Sequence, residues 1–196
     1  MRKKVNIGQL FEETFLKLSS PTFGEGLGGE LPIYIQPVPI EQYDEVEVQI
    51  PFLIKRLNEV NKSTIEINLY NLCIEMLRES DTLDIILESE KEIDHQILVE
   101  TLDSILNIDD VIQKIVNQIE ASNQVPSIVV FTGVGNAYPM LRSHSILNNI
   151  HGLAGDIRFV LIFPGSYNNQ QLSLFDCIHD ENYYRAHKLN NVTREI

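Results

Sequence analysis

Ser127–Asn149, SIVVFTGVGNAYPMLRSHSILNN, decides the fold. Ser127–Thr132 is a short apolar run rich in β-branched residues; it halts at Gly133 and Gly135, and a helical spacing opens at Pro139. A run this short and this apolar predicts a strand covered on both faces. Glycines let the chain turn sharply, and a proline suits a helix's first turn, where its missing N–H would have had no partner. The stretch reads as strand, turn and helix, with Tyr138, Arg142 and His144 near the junction. In open α/β sheets, sites form beyond the carboxyl ends of the strands, so a site is expected here.

The flanking sequence supplies more of the same units. Leu31–Val38 (LPIYIQPV) predicts a strand closed by Pro37 and Pro39. Thr64–Leu69 alternates like a strand, and Arg158–Phe163 reads as another buried strand, ended by Pro164-Gly165. Tyr183–Leu189 is more polar and predicts a last strand nearer an edge. Helices are expected at Val5–Leu18, at Glu41–Val60 and from Pro139 to Leu153. Pro51 either interrupts the second of these or starts a new segment. From Tyr70 to about Ala121 the spacing is helical throughout, with Asp81, Asp94 and Asp109 or Asp110 as amino-terminal caps. Strand-helix-strand order predicts an α/β fold: one three-layer domain over residues 1–196 with a mostly parallel, Rossmann-like sheet of about five strands. The helices of 70–121 are an elaboration of one layer.

With 196 residues, 43% of them hydrophobic, the chain suits one well-buried core. No apolar run approaches the roughly 20 residues that cross a bilayer, and no continuous apolar stretch follows Met1-Arg-Lys-Lys, so a cytoplasmic protein without a membrane partner is expected. Cys73 and Cys177, isolated from one another, suit reduced thiols. The net charge of −13 is unevenly spread: residues 61–126 hold 14 acidic and 4 basic side chains, while residues 127–196 hold 5 of each and four of the five histidines. Autonomous nucleic-acid binding needs a basic patch, and none is visible, so none is expected. The acidic helices suit either solubility or docking to a basic partner.

Motifs narrow the chemistry further. Gly24, Gly26 and Gly29 fit G-x-G-x-x-G by letter, but a helix precedes them and a strand follows, the reverse of a dinucleotide fingerprint. Gly133-Val-Gly135 has the right context but lacks the third glycine, and it also lacks a P-loop's lysine and hydroxyl. His144 and His151 are seven apart, with Asp156 and His179 available, yet no H-E-x-x-H or paired-cysteine motif exists, so no metal is expected. No G-x-S-x-G elbow marks Ser143, Ser145 or Ser166 as a nucleophile. Glu66 lacks the second acid and the lysine of a metal-dependent nuclease core. If the third and fourth strands are neighbours, the Gly133 turn and the Gly165-Ser-Tyr167-Asn-Asn-Gln170 loop converge. Asn182, Tyr184 and Arg185 could approach them, giving amide, phenol and guanidinium groups without an acid–base pair, a set that suits a protein interface. No catalytic residue and no cofactor are assigned.

These same blocks carry a family likeness: GLGGELPIYI (26–35), IPFLIKRL (50–57), IEINLYNL (65–72), FTGVGNAYPMLRSHSILNN (131–149), VLIFPGSYNNQQLSLF (160–175) and NYYRA (182–186). Through them the chain resembles the small BrxB-like proteins of the BREX phage-defence systems; Asn168-Asn169 stands where the family pattern leads one to expect Asp-Gly. The resemblance implies a cytoplasmic component of a multi-protein system that pairs host DNA methylation with restriction of phage. Other core members of such systems include the phosphatase-fold protein PglZ, a large ATPase and an adenine-specific methyltransferase. The lack of paired catalytic groups and the cluster at the predicted strand ends, taken with this resemblance, lead one to expect a non-catalytic adaptor binding other core BREX proteins, PglZ favoured. The rival reading is a nucleotide-responsive or hydrolytic enzyme working around Gly133, Gly135, Arg142 and His144.

Overall fold

The computed structural model describes residues 4–25, 31–89, 91–153, 155–168, 170–179, 184 and 186–192, with His151 described in its backbone alone. Its centre is a sheet of five parallel strands, flanked on both faces by helices. In chain order the described elements begin with α1 (Ile7–Ser19), β1 (Ile33–Val38), a short 3-10 turn (Ile40–Gln42), α2 (Tyr43–Glu59) and β2 (Thr64–Asn68). The helical insertion follows: α3 (Leu69–Glu79), α4 (Leu83–Ser89), α5 (His95–Ile105) and α6 (Ile108–Glu120). Then come β3 (Ile128–Thr132), α7 (Val134–Ala137), α8 (Ser143–Asn149), a 3-10 turn (Ile150–Leu153), β4 (Arg158–Tyr167), β5 (Leu172–Leu174), β6 (Ile178–His179) and β7 (His187–Lys188).

The parallel order is β2-β3-β4-β1-β7, so the expected third and fourth strands are neighbours, in the register Val129↔Phe159, Val130↔Val160 and Phe131↔Leu161. Alternation along the strands divides the core in two. Tyr34, Val38, Ile128, Val130, Val160 and Ile162 meet α1 and α2 on one face. Ile33, Ile35, Ile67, Val129, Phe131, Phe159, Leu161 and Phe163 meet the helices from α3 to α8 on the other. The connection from β1 through α2 passes over one face to the far edge, and the chain then returns through β3 to β4 over the opposite face. Reversing direction and face together keeps both crossovers of one hand.

Local chemistry explains the element ends. Asn68 accepts the Asn71 amide at 3.1 Å and so caps α3 straight out of β2. Asp94 caps α5, as expected, through the Gln96 amide at 2.9 Å. α6 is capped by Asn107, not by Asp109 or Asp110, which sit in its first turn where carboxylates favour the helix dipole. Asp81 caps nothing: at φ 54 it takes the left-handed turn that ends α3. Pro51 neither breaks α2 nor starts it, for one helix runs through it.

Two further expectations are corrected. The helix expected from Pro139 begins only at Ser143, because Arg142 is extended (ψ 141) and residues 138–141 form turns, with the Leu141 amide on the Ala137 carbonyl at 3.0 Å. The strand expected to end at Pro164-Gly165 runs on to Tyr167 and folds back antiparallel as β5 and β6. Proline removes a donor but keeps an acceptor, and the Pro164 carbonyl takes the Phe175 amide at 2.9 Å. Gly165, at φ 141, permits the fold-back: a Cβ there would lie 2.1 Å from the Ser173 carbonyl oxygen. The last strand is confined to His187–Lys188, at the edge beside β1, while Tyr183 lies outside the described residues.

Candidate functional site

The carboxyl ends of β3 and β4 and the fold-back of β5 and β6 enclose a pocket of about 320 Å³. Its floor is apolar, made by Val134, Leu141, Phe163, Leu172, Leu174 and Ile178; its polar rim is Tyr138, Arg142, Ser143, His144 and His179. The rim follows from the turn that replaces the expected first helical turn. Leu141 is buried, and the extended residue after it swings the Arg142 side chain outward before Ser143 resumes the helix. Among the described residues no carboxylate lines this pocket. Arg142 and His144 also border a second hollow of about 440 Å³, toward Asp103 and Asn107 of the helical insertion, so the pair stands on a ridge between two depressions. Among the described residues no ion pair engages Arg142.

The sequence-expected site residues divide between separate places. Gly135, Tyr138, Arg142, His144 and Gly165 gather at or beside this rim, for a Cβ on Gly135 would meet the Phe175 ring at 2.7 Å and Pro164 at 3.1 Å. Gly133 turns the other way. At φ 68 it leaves room for the Asn68 side chain that caps α3, and it borders a smaller hollow of about 150 Å³ with Tyr43, Glu47, Glu66 and Asn68. There the Thr132 hydroxyl donates to Glu66 at 2.6 Å, and burial, with the Glu47 carboxylate nearby, pushes the Tyr43 phenol up to about 12. Tyr167 and Tyr184 are buried outside the pocket lining: the Tyr167 hydroxyl donates to the Ala186 carbonyl at 2.8 Å and lies 3.2 Å from that of Tyr184, tying the carboxyl-terminal segment to β4. Gln170 is exposed in the hairpin turn, its amide held by Asn168 at 3.0 Å. Asn182 and Arg185 lie outside the described residues, as do Gly26 and Gly29 of the glycine-rich loop.

Sequence reading missed the apolar floor. Its signal was the alternation in Leu172-Ser-Leu174 after a proline-glycine pair, which marks a short returning strand. Among the described residues no three His, Cys, Asp or Glu side chains are grouped to hold a metal ion. Cys73 and Cys177 are both free, and burial raises the Cys73 thiol to about 12, so it stays protonated. Among the described residues no helix is long and apolar enough to cross a membrane.

A five-stranded parallel sheet in three layers, with one strand prolonged into an antiparallel flap over a half-apolar pocket, defines the class: a doubly covered α/β protein with a strand-end hollow. The chain belongs to the family described as BREX protein BrxB, whose model matches residues 65–189. It is 32% identical over 190 residues to a BREX protein BrxB of Bacillus cereus (strain H3081.97), covering 93% of this chain and 97% of that one. It is 26% identical over 178 residues to a BREX protein BrxB of Escherichia coli O9:H4 (strain HS), covering 91% and 84% respectively. No solved structure matches it. Membership makes the chain a component of a BREX phage-defence system.

Proposed function

We propose that this chain is a non-catalytic adaptor that holds another core BREX protein, with the phosphatase-fold subunit PglZ the favoured partner. The observation that supports this reading is the strand-end pocket, where an apolar floor meets a cationic and hydroxyl rim. Such a lining suits an anchoring side chain with an apolar body and an anionic or amide tip, the kind of residue that dominates binding energy in protein interfaces. Arg142 has the planar donor fork for a carboxylate, and the prolonged β4 hairpin fixes the opposite wall.

The test is binding between separately purified BREX core proteins, read by calorimetry, with ATP titrated in parallel. Stoichiometric binding to one subunit is expected, weakened about tenfold or more by Arg142→Ala with the melting temperature unchanged, and no heat with ATP. Failure of every core subunit to bind would remove the adaptor reading. Nucleotide turnover abolished by Arg142→Ala would replace it with an enzymatic one.

A further inference from the structure

We propose that α4 and α5 form a second docking surface, chemically unlike the pocket rim, for a basic segment of another protein with one apolar face. α4 is a seven-residue helix, LDIILES, four of whose residues are Leu or Ile. A helix with Asp84 and Glu88 along one side and aliphatic residues around the rest should bury its apolar part. Yet α4 buries none of its residues, and Ile85 and Leu87 are 64% and 58% exposed. The next turn and helix continue the pattern: Ile93 and Ile97 are 36% and 56% exposed, and the first buried side chain of α5 is Leu102. Leu83, Ile86 and Leu98 lean against the core, so the arm is seated on the protein while its outer apolar residues stay open. Four exposed aliphatic side chains within thirteen residues of one segment, 85–97, are the kind of surface that another molecule covers.

Charge selects the occupant. Residues 83–103 hold seven acidic side chains and one lysine. Among the described residues no lysine or arginine forms an ion pair with the carboxylates of this arm; Lys114, on α6, is engaged by Glu75 and Glu79 at 3.3 and 2.6 Å. A second copy of this face would bring two strongly acidic surfaces together, and nucleic acid or anionic lipid would be repelled in the same way. A lysine- or arginine-bearing segment with apolar side chains of its own satisfies both demands at once, covering exposed aliphatic side chains while pairing with the surrounding carboxylates. This surface meets the rim only at the far end of α5, where Asp103 shares a hollow with Arg142 and His144, and it differs from the rim in chemistry: one offers carboxylates around exposed aliphatic side chains, the other a guanidinium and imidazoles around an apolar floor. An adaptor so built grips two different partners.

Hydrogen-exchange mass spectrometry on the full chain, alone and with each separately purified BREX core protein, reads this directly. One subunit should slow exchange across residues 83–101, with affinity falling at least tenfold between 50 and 300 mM salt. The double variant Ile85→Ser/Leu87→Ser should lose that protection, and so should the charge variant Glu88→Lys/Glu92→Lys. Both should melt like the wild type, since every side chain changed is exposed. Arg142→Ala should leave protection of the arm intact, which separates failure at the rim from failure here. The proposal is overturned if no subunit protects the arm, or if protection survives both variants. Protection that rises with the concentration of this chain alone, or with phosphatidylcholine vesicles, would overturn it too.

Discussion

Two pairs of helices in this protein carry the same kind of sequence and meet different ends. α1 buries Ile7, Leu10, Phe11, Thr14 and Leu18 against the sheet, and α2 buries Val46, Ile50, Leu53 and Leu57 beside it. They are also fastened to one another: Arg56 grips both Glu12 oxygens, at 2.6 and 3.1 Å, and its guanidinium lies 3.8 Å from the centre of the Phe15 ring. α4 and α5, on the opposite face, together bury Leu102 and no other residue. Amphipathic spacing thus announces that a helix has something to cover; it does not say whether that something belongs to the same chain. For α1 and α2 the cover is the sheet. For α4 and α5 we infer that it is another molecule.

The sharpest way to break this contrast is to delete matched leucines. Leu57 is fully buried between α2 and the sheet, and Leu57→Ala should cost about 3 kcal/mol through lost transfer energy and the cavity left behind. Leu87→Ala, at a site 58% exposed, should change stability by less than about 0.5 kcal/mol. Urea unfolding of the two variants beside the wild type measures both. Similar losses would mean that the arm is part of the folded core.

A subtler probe concerns how the sealed face is pinned. Behind α1, the Asn190 amide donates to Thr14 Oγ1 at 2.9 Å and to Gln36 Oε1 at 3.0 Å, all three residues buried, and Gln36 passes a hydrogen bond on to the Pro37 carbonyl at 2.8 Å. Removing one member leaves buried acceptors short of a donor, so Asn190→Ala should cost about 1–2 kcal/mol. It should also speed amide exchange in α1 and β1 rather than in the arm. Exchange that quickened in α4 instead would show that the two regions are one cooperative unit.

How much of this was legible in the sequence follows from which forces act locally. The strand at Ser127–Thr132 was readable because an apolar run closed by glycine admits few other outcomes, and the layered parallel fold followed from it. The prolongation of β4 was not, since Pro164-Gly165 is also the usual mark of a strand's end. What makes the glycine obligatory is set by the fold-back itself: a φ of 141 and the distant carbonyl of Ser173 close against it. At the candidate site, Arg142 and His144 could be placed at the strand end from spacing alone. The floor beneath them depends on Leu172, Leu174 and Ile178 returning across that end, a tertiary event with no local signature beyond a three-residue alternation. Tyr167 looked like an interface group and is instead buried beneath the carboxyl-terminal segment, because its hydroxyl finds carbonyls there.

The smallest expected effect tests the clasp between α1 and α2. The hydrogen bond from Arg56, and its charge, hold the Glu12 carboxyl below its ordinary value of 4.5. A carboxyl depressed in the folded state contributes stability in full above its unfolded value, and that contribution is lost as pH falls from 4.5 through the lowered folded value. Both partners are nearly half exposed, so solvent and salt screen the pair and the contribution is small. Wild type and Glu12→Gln should therefore differ slightly and constantly from neutral pH down to about 4.5, then converge below it, and the gap should shrink in 1 M salt. A gap that widened in acid would mean that Glu12 is protonated more readily in the folded chain, reversing the sign. A gap that ignored salt would assign the joint to the Arg56–Phe15 stack, leaving apolar burial and ring contact, without charge, as what separates the sealed pair from the open one.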